Sequence, residues 1–285
     1  MPLVDGLTGA ERMLRIGTPI QDYRKRHGLW VKREDLACRP PGPPFSKTRG
    51  VYAHIEKRSE DVVGVLDTYH SQAGHAVARA CQVLGKKCTN YYPEFKHEPG
   101  PRDPQLSAKK LGADLVGLPA GRSAILFHQA RKRCESVGGY MMPNALKLKE
   151  SVEETAKEVP TDFDNWEDVG DGPRPAWVII PASSGTIAAG VIKGFGNTTD
   201  FIIHLGYVRS HLEVRKYIEE ASGVSGIGAR LTIIDENYAY KDVAKDGPTP
   251  PWPCNRYYDL KAYRWWMSVK DEHAYPGDVL FWNIG

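Results

Sequence analysis

No apolar run in this chain is long enough to cross a bilayer, and no apolar signal region stands at its N-terminus. A membrane protein is not expected. Cysteine is scarce. Cys38, Cys81, Cys88, Cys134 and Cys254 are odd in number, scattered, and form no Cys-x-x-Cys. That pattern suits a reducing cytoplasm, where the protein is expected to reside, better than a disulfide framework. The nine histidines lack zinc-ligand spacing, with His70 and His75 five positions apart, so no metal is expected. Charge of one sign is missing too. The net charge of +3 is spread thinly with no long basic run, which gives little electrostatic reason for nucleic-acid binding. No internal repeat is found, which removes solenoids and propellers.

What is present is a β/α rhythm. With 285 residues the chain can build a large core and two lobes. Short apolar runs alternate with amphipathic stretches, as in a parallel sheet. Val62 to Leu66 reads as a buried strand. Ser71 reads as a helix N-cap, followed by Ala73, Val77, Ala80, Cys81 and Leu84 at helical spacing and a stop at Gly85. Further strands are expected at 113–118, 140–142, 177–181, 201–205 and 231–235, and helices at 123–136, 147–158, 186–195 and 211–221. The acidic, Pro- and Gly-rich stretch 160–175 reads as a surface loop, and 246–253 as an extended break. The expected domains are a small α/β domain over 51–144 and a large one from 1–50 and 145–285, with a cleft between them.

Several short segments carry chemistry. Lys47 follows the rigid Pro43-Pro44-Phe45-Ser46 and precedes a helix-like segment with Val51 and Ile55. A lysine picked at random is a solvated surface charge, but a desolvated one is a nucleophile and a base. Ser71 and Gln72 lie at a strand-to-helix junction suited to an anion, although from this stretch alone a plain helix cap is the better reading of Ser71. Ser183, Ser184, Gly185 and Thr186 follow the apolar Val178-Ile179-Ile180, and small residues there let backbone N–H groups approach a phosphate. An ordinary tight turn looks the same in sequence. Asp259 opens a last helix, where it suits either a bound cation or the helix dipole. Tyr257, Tyr258, Tyr263, Trp265 and Trp266 form an aromatic cluster read as core or interface packing.

Taken in order, these segments resemble the fold-type II pyridoxal phosphate (PLP) enzymes, the tryptophan-synthase-β-like superfamily. Within it they look most like the branch of 1-aminocyclopropane-1-carboxylate (ACC) deaminase and D-cysteine desulfhydrase. Thr18-Pro19-Ile20 resembles the family's Thr-Pro-Leu, and Lys32-Arg33-Glu34-Asp35-Leu36 its Lys-Arg-Glu/Asp-Asp-Leu. Ser46-Lys47-Thr48-Arg49 is similar to Asn-Lys-x-Arg, and the stretch from Ser71 to Gly85 aligns without a gap. Asp235 to Tyr240 resembles Asp-Glu-Arg-Phe-Ala-Tyr, Tyr258 to Ala262 resembles Tyr-Glu/Thr-Gly-Lys-Ala, and Val279 to Trp282 resembles the closing strand. Gln72 stands where the branch has asparagine, Gly50 where it has lysine, and Asp259 is shorter than the deaminase glutamate.

The resemblance implies two open twisted α/β lobes and PLP as cofactor. Lys47 would form the imine with the cofactor aldehyde. Lys47, Ser71, Tyr240 and Tyr258 would be catalytic. Gln72, Ser183, Ser184, Gly185, Thr186 and Asp259 would hold the cofactor, with Asp259 at the ring nitrogen. The implied reaction is α,β-elimination or ring opening of a small amino acid to a 2-oxo acid and ammonia, in a homodimer. Three alternatives stay open. One is other PLP chemistry, either β-replacement or decarboxylation of an amino acid carried on a modified nucleotide, as in viral DNA hypermodification. Another is a PLP-binding protein without turnover. The third is a nucleic-acid-binding module built on the Arg/Trp/Tyr-rich C-terminal region.

Overall fold

A computed structural model of the chain describes residues 7–68, 70–97, 99–163, 174–272 and 275–285. In chain order its elements are α1 (Gly9–Met13), β1 (Ile20–Asp22), α2 (Arg24–His27), β2 (Trp30–Arg33), α3 (Thr48–Glu56), β3 (Val62–Leu66), α4 (Ala73–Leu84), β4 (Lys87–Glu94), α5 (Asp103–Lys110), β5 (Asp114–Pro119), α6 (Ser123–Glu135), β6 (Tyr140–Met141), α7 (Lys149–Phe163), β7 (Trp177–Ala182), α8 (Thr186–Phe195), β8 (Asp200–Leu205), α9 (His211–Ser222), β9 (Leu231–Ile234), α10 (Asp259–Val269) and β10 (Val279–Asn283). The expected strands and helices are all present, with ends shifted by a few residues. The helix expected to stop at Glu158 runs on to Phe163. Residues 164–173 of the expected surface loop lie outside the described residues.

The chain divides into two compact units. The first joins the described residues up to Arg15 to Cys38–Glu150, and the second joins Ile16–Ala37 to Ser151–Gly285. These boundaries differ from the expected divisions at 51 and 145. Residues 38–50 belong with the first unit because they pack there: Cys38, Val51 and Tyr52 share one buried cluster. Arg49 also donates to the carbonyl of Arg15 at 2.8 Å.

In the first unit, a sheet of order β5-β4-β3-β6 is parallel throughout. Helix α4 forms where small and apolar residues recur, and Ala73, Ala76, Val77, Ala80 and Cys81 are its buried face. Gly85 closes it in the left-handed conformation, returning its N–H to the carbonyl of Cys81. In the second unit, a sheet of order β1-β2-β10-β7-β8-β9 is parallel except for the β1–β2 pair. Its central strands are apolar because they are covered on both faces. Val178, Ile180, Phe201 and Leu280 lie in one buried cluster, and Ile179, Ile202, Tyr263, Trp266 and Phe281 in another. Tyr263 and Trp266 are thus core residues, as expected of the aromatic cluster.

Charged residues also turn inward here. Lys32 is fully buried on β2 and donates to the carbonyl of Thr18 at 2.7 Å and to Glu158 at 3.4 Å. Arg33 clasps Asp35 through two bonds of 2.8 Å, and Asn283 at the end of β10 donates to Asp35 at 2.9 Å. Lys32, Arg33 and Asp35 each meet an opposite charge or a carbonyl, which offsets their loss of water. No described helix is long and apolar enough to cross a membrane.

Candidate active site

The first unit carries Lys47, Ser71 and Gln72. Lys47 occupies the cap position just before α3, and Val51 N–H donates to its carbonyl at 2.9 Å. Its side chain is half-buried, and its amine donates to the carbonyl of Ala145 at 2.7 Å. Ala145 and the following Leu146 both sit at positive φ, +57° and +48°. Non-glycine residues are uncommon there, and such backbone gathers at functional sites. Burial, and then the neighbouring Lys147, bring the Lys47 amine down to a pKa of about 7. At neutral pH a large part of it is therefore the uncharged nucleophile.

Ser71 is not itself the N-cap. Gln72 occupies that position without a side-chain cap bond, and the Ser71 hydroxyl accepts the N–H of Ala73 at 3.0 Å. Ser71 also hydrogen-bonds the carboxylate of Asp67. Asp67, at the end of β3, is fully buried and accepts from Gln105 at 2.9 Å, Asn90 at 3.4 Å and the N–H of Thr68 at 3.1 Å. Burial still outweighs these donors and raises its pKa to about 6. Gly74 makes room for the network, since a Cβ there would lie 2.0 Å from Asn90 Nδ2. Gly50, where the resembled branch has lysine, is buried within α3.

The second unit carries the remaining candidates. Ser183 to Gly185 turn the chain from β7 into α8 at the carboxyl end of the sheet, where open α/β folds take ligands. Gly185 has φ +82° and caps a ten-residue helix whose first N–H groups point into the turn. Ser184 and Thr186 are buried, and their hydroxyls lie 2.9 Å apart. The Thr186 hydroxyl also meets the phenol of Tyr217 at 3.1 Å, and Arg209 donates to the carbonyl of Ser183.

Tyr258 and Tyr240 gather at the same turn. The Tyr258 phenol is hydrogen-bonded to Ser183 and Tyr240, and burial pushes it well above the usual phenol range, so it stays protonated. Asp259 opens α10 and is fully buried. One carboxylate oxygen accepts the N–H of Ile284 at 2.7 Å, and the other has no hydrogen-bond partner among the described residues. Burial raises its pKa to about 7, and the nearby charge of Asp35 adds to the rise.

Sequence reasoning missed Asp67, Ala145, Tyr207, Arg209 and Tyr217. Tyr207 and Arg209 follow directly after β8, and that position was the one signal available for them. Among the described residues no group of three or more His, Cys, Asp or Glu is placed to hold a metal ion.

Residues 12–227 match the family described as pyridoxal-phosphate dependent enzyme. The chain is 46% identical, over 96% of its own length and 100% of the relative's, to a glycyl-dTMP PLP-dependent decarboxylase of Pseudomonas phage M6. Among solved structures it is similar to an ACC deaminase homologue, with a TM-score of 0.76 and 17% identity over 96% of this chain and 91% of that one. The processed threonine deaminase isoform 2 of Solanum lycopersicum gives 0.64 and 15%, over 95% and 80%. A fungal L-serine ammonia-lyase from Rhizomucor miehei gives 0.65 and 15%, over 96% and 94%. These structural likenesses speak for the fold.

Proposed function

The chain belongs to the pyridoxal-phosphate dependent enzyme family, in its fold-type II class, and on that premise we propose that it decarboxylates an amino acid carried by a nucleotide, in the modification of viral DNA. One observation carries this reading: the end-to-end identity of 46% with a phage enzyme named for glycyl-dTMP. The structures named for a deaminase homologue, a threonine deaminase and a serine ammonia-lyase match at 15% and 17%, a level that speaks for architecture and not for substrate. Decarboxylation is therefore preferred to the elimination that the resemblance implies.

The donor groups suit the cofactor. Ser183 to Thr186, with the N-terminus of α8, offer N–H groups, hydroxyls and a positive dipole end to its phosphate. The unpartnered oxygen of Asp259 suits a protonated ring nitrogen, and that contact would relieve its buried charge. Lys47 would supply the amine for the aldehyde.

Bound pyridoxal phosphate supplies an electron sink for the pair released when the substrate carboxylate leaves as carbon dioxide. The product carbon must then gain a proton in place of the carboxylate. Lys47, with a pKa of about 7, can hold that proton and give it up near neutral pH. Tyr258 stays a hydrogen-bond donor, and Ser71, gripped between Asp67 and the Ala73 amide, presents an oriented hydroxyl.

The test is to incubate the PLP-loaded enzyme with thymidylate bearing a glycyl group and follow carbon dioxide release and the mass of the nucleotide. Ammonia and a 2-oxo acid from a small amino acid, with no carbon dioxide from the nucleotide, would return the elimination reading.

A further inference from the structure

The loop after β8 holds groups that a small amino acid would not need. Gly206 N–H donates to the carbonyl of Ala182 at 2.9 Å, which ties this loop to the residue before Ser183. Val208 N–H donates to the carbonyl of Tyr238 at 2.8 Å, which ties it to the loop after β9. The rings of Tyr207 and Tyr240, both half-exposed, meet edge to face with centroids 4.9 Å apart at 88°. In such a pair the edge-donating ring keeps both faces unused by its partner. The Arg209 guanidinium lies 5.8 Å from the Tyr207 centroid and spends one of its five N–H donors on the Ser183 carbonyl.

We propose that Tyr207 and Arg209 form the nucleotide subsite of this enzyme, with the Tyr207–Tyr240 pair taking the pyrimidine and Arg209 the 5′-phosphate. The inference rests on the nucleotide-linked reading of the substrate. A nucleotide presents one flat π-system and one dianion, and the loop offers one aromatic pair and one guanidinium. These groups stand beside the turn assigned to the cofactor phosphate, at the carboxyl ends of β7, β8 and β9. Tyr258 touches both sets through Ser183 and Tyr240.

The test is calorimetric titration of the PLP-saturated enzyme with dTMP and with thymidine. Tyr207→Ala is expected to weaken both ligands by about tenfold, the loss of one stacking partner, and Tyr207→Phe to retain both. Arg209→Lys is expected to weaken dTMP by about tenfold and leave thymidine unchanged, because it loses the planar fork. A short oligodeoxythymidylate distinguishes the two sources of the ligand. Binding tighter than dTMP assigns the subsite to a nucleotide within DNA, and weaker binding to the free monomer.

Equal affinities for wild type and variants would overturn the proposal. So would an Arg209→Lys enzyme that loses PLP but keeps dTMP, which would give Arg209 to the cofactor. Carbon dioxide release with unchanged dTMP binding rejects the subsite and keeps the reaction. Variant-sensitive dTMP binding without carbon dioxide release does the reverse.

Discussion

The amine of Lys47 donates to the carbonyl of Ala145 at 2.7 Å, across 98 positions of sequence, and Ala145 sits at φ +57°. The bond fixes the direction of an amine whose charge is already weakened by burial and by Lys147. Lys47→Ala is expected to abolish the visible band of bound cofactor while leaving the fold intact. In the wild type the neutral amine forms as pH rises through about 7, so cofactor loading should quicken over roughly pH 6 to 8 and then level off. Loading that continues to quicken toward pH 10 would assign the chemistry to an ordinary lysine. Borohydride trapping and peptide mapping identify which lysine it is.

Gly185 is the next point of test. Its φ of +82° strains any other residue, and an added Cβ would press on Ile218 at 3.1 Å and Tyr217 at 3.2 Å. Gly185→Val should lower stability by about 1–3 kcal/mol and weaken PLP binding through the displaced turn. Equilibrium dialysis against PLP measures it. Wild-type affinity in that variant would put the phosphate elsewhere.

Asp259→Asn keeps an acceptor for the Ile284 amide and removes the charge. PLP should remain bound, the visible spectrum should shift, and turnover should fall by roughly 100-fold. A variant with unchanged spectrum and rate would separate Asp259 from the ring nitrogen.

Ser71→Ala removes the hydroxyl that accepts the Ala73 amide. Loss of that local bond alone should cost about 1 kcal/mol and leave turnover per folded molecule unchanged. A catalytic hydroxyl predicts a further loss of roughly 100-fold in rate. Thermal melting and kcat, measured on the same preparation, separate the two.

Asp67 makes stability depend on pH. Unfolded, its carboxyl titrates near 3.8, and folded, near 6, so the folded state holds the proton more tightly. Its contribution is complete below the first value and is lost as pH rises through the second, by about 3 kcal/mol at most. Asn at this site cannot ionise. Asp67→Asn should therefore gain on the wild type between about pH 4 and pH 6, as urea midpoints would record. A constant difference across that range would mean that Asp67 is ionised throughout.

Much of this was legible in the sequence, and most of the failures share a cause. The apolar strands β3, β7 and β8 declared themselves because both of their faces are covered. Strand β4 did not, because Asn90 sits fully buried on it, serving Asp67 from another strand. Strand β2 hides in the same way: Lys32 and Arg33 look solvated until Glu158 and Asp35 are seen beside them. Helix α5 carries Pro104 and mostly polar residues, so periodicity was silent. Of the candidate site, Lys47, the turn at Ser183–Thr186 and Asp259 were proposed from their order along the chain. Ala145, Tyr217 and Asp67 act through contacts whose partners lie far off in sequence, and no local pattern announces them.

The parallel pairing of β2 with β10, Trp30 opposite Leu280, has a consequence for synthesis on the ribosome. The first strands of the six-stranded sheet emerge almost a whole chain before the strand that seats them. At 5–20 residues per second that wait lasts roughly ten seconds to a minute. Residues Cys38–Glu150 are all made within it, while the β1–β2 pair must wait with the outer edge of β2 open. Such edges invite pairing between nascent chains, and lysine on the edge is a natural deterrent. Lys32, which ends in an interior ion pair with Glu158, would thus guard the nascent strand while its partner is still being made.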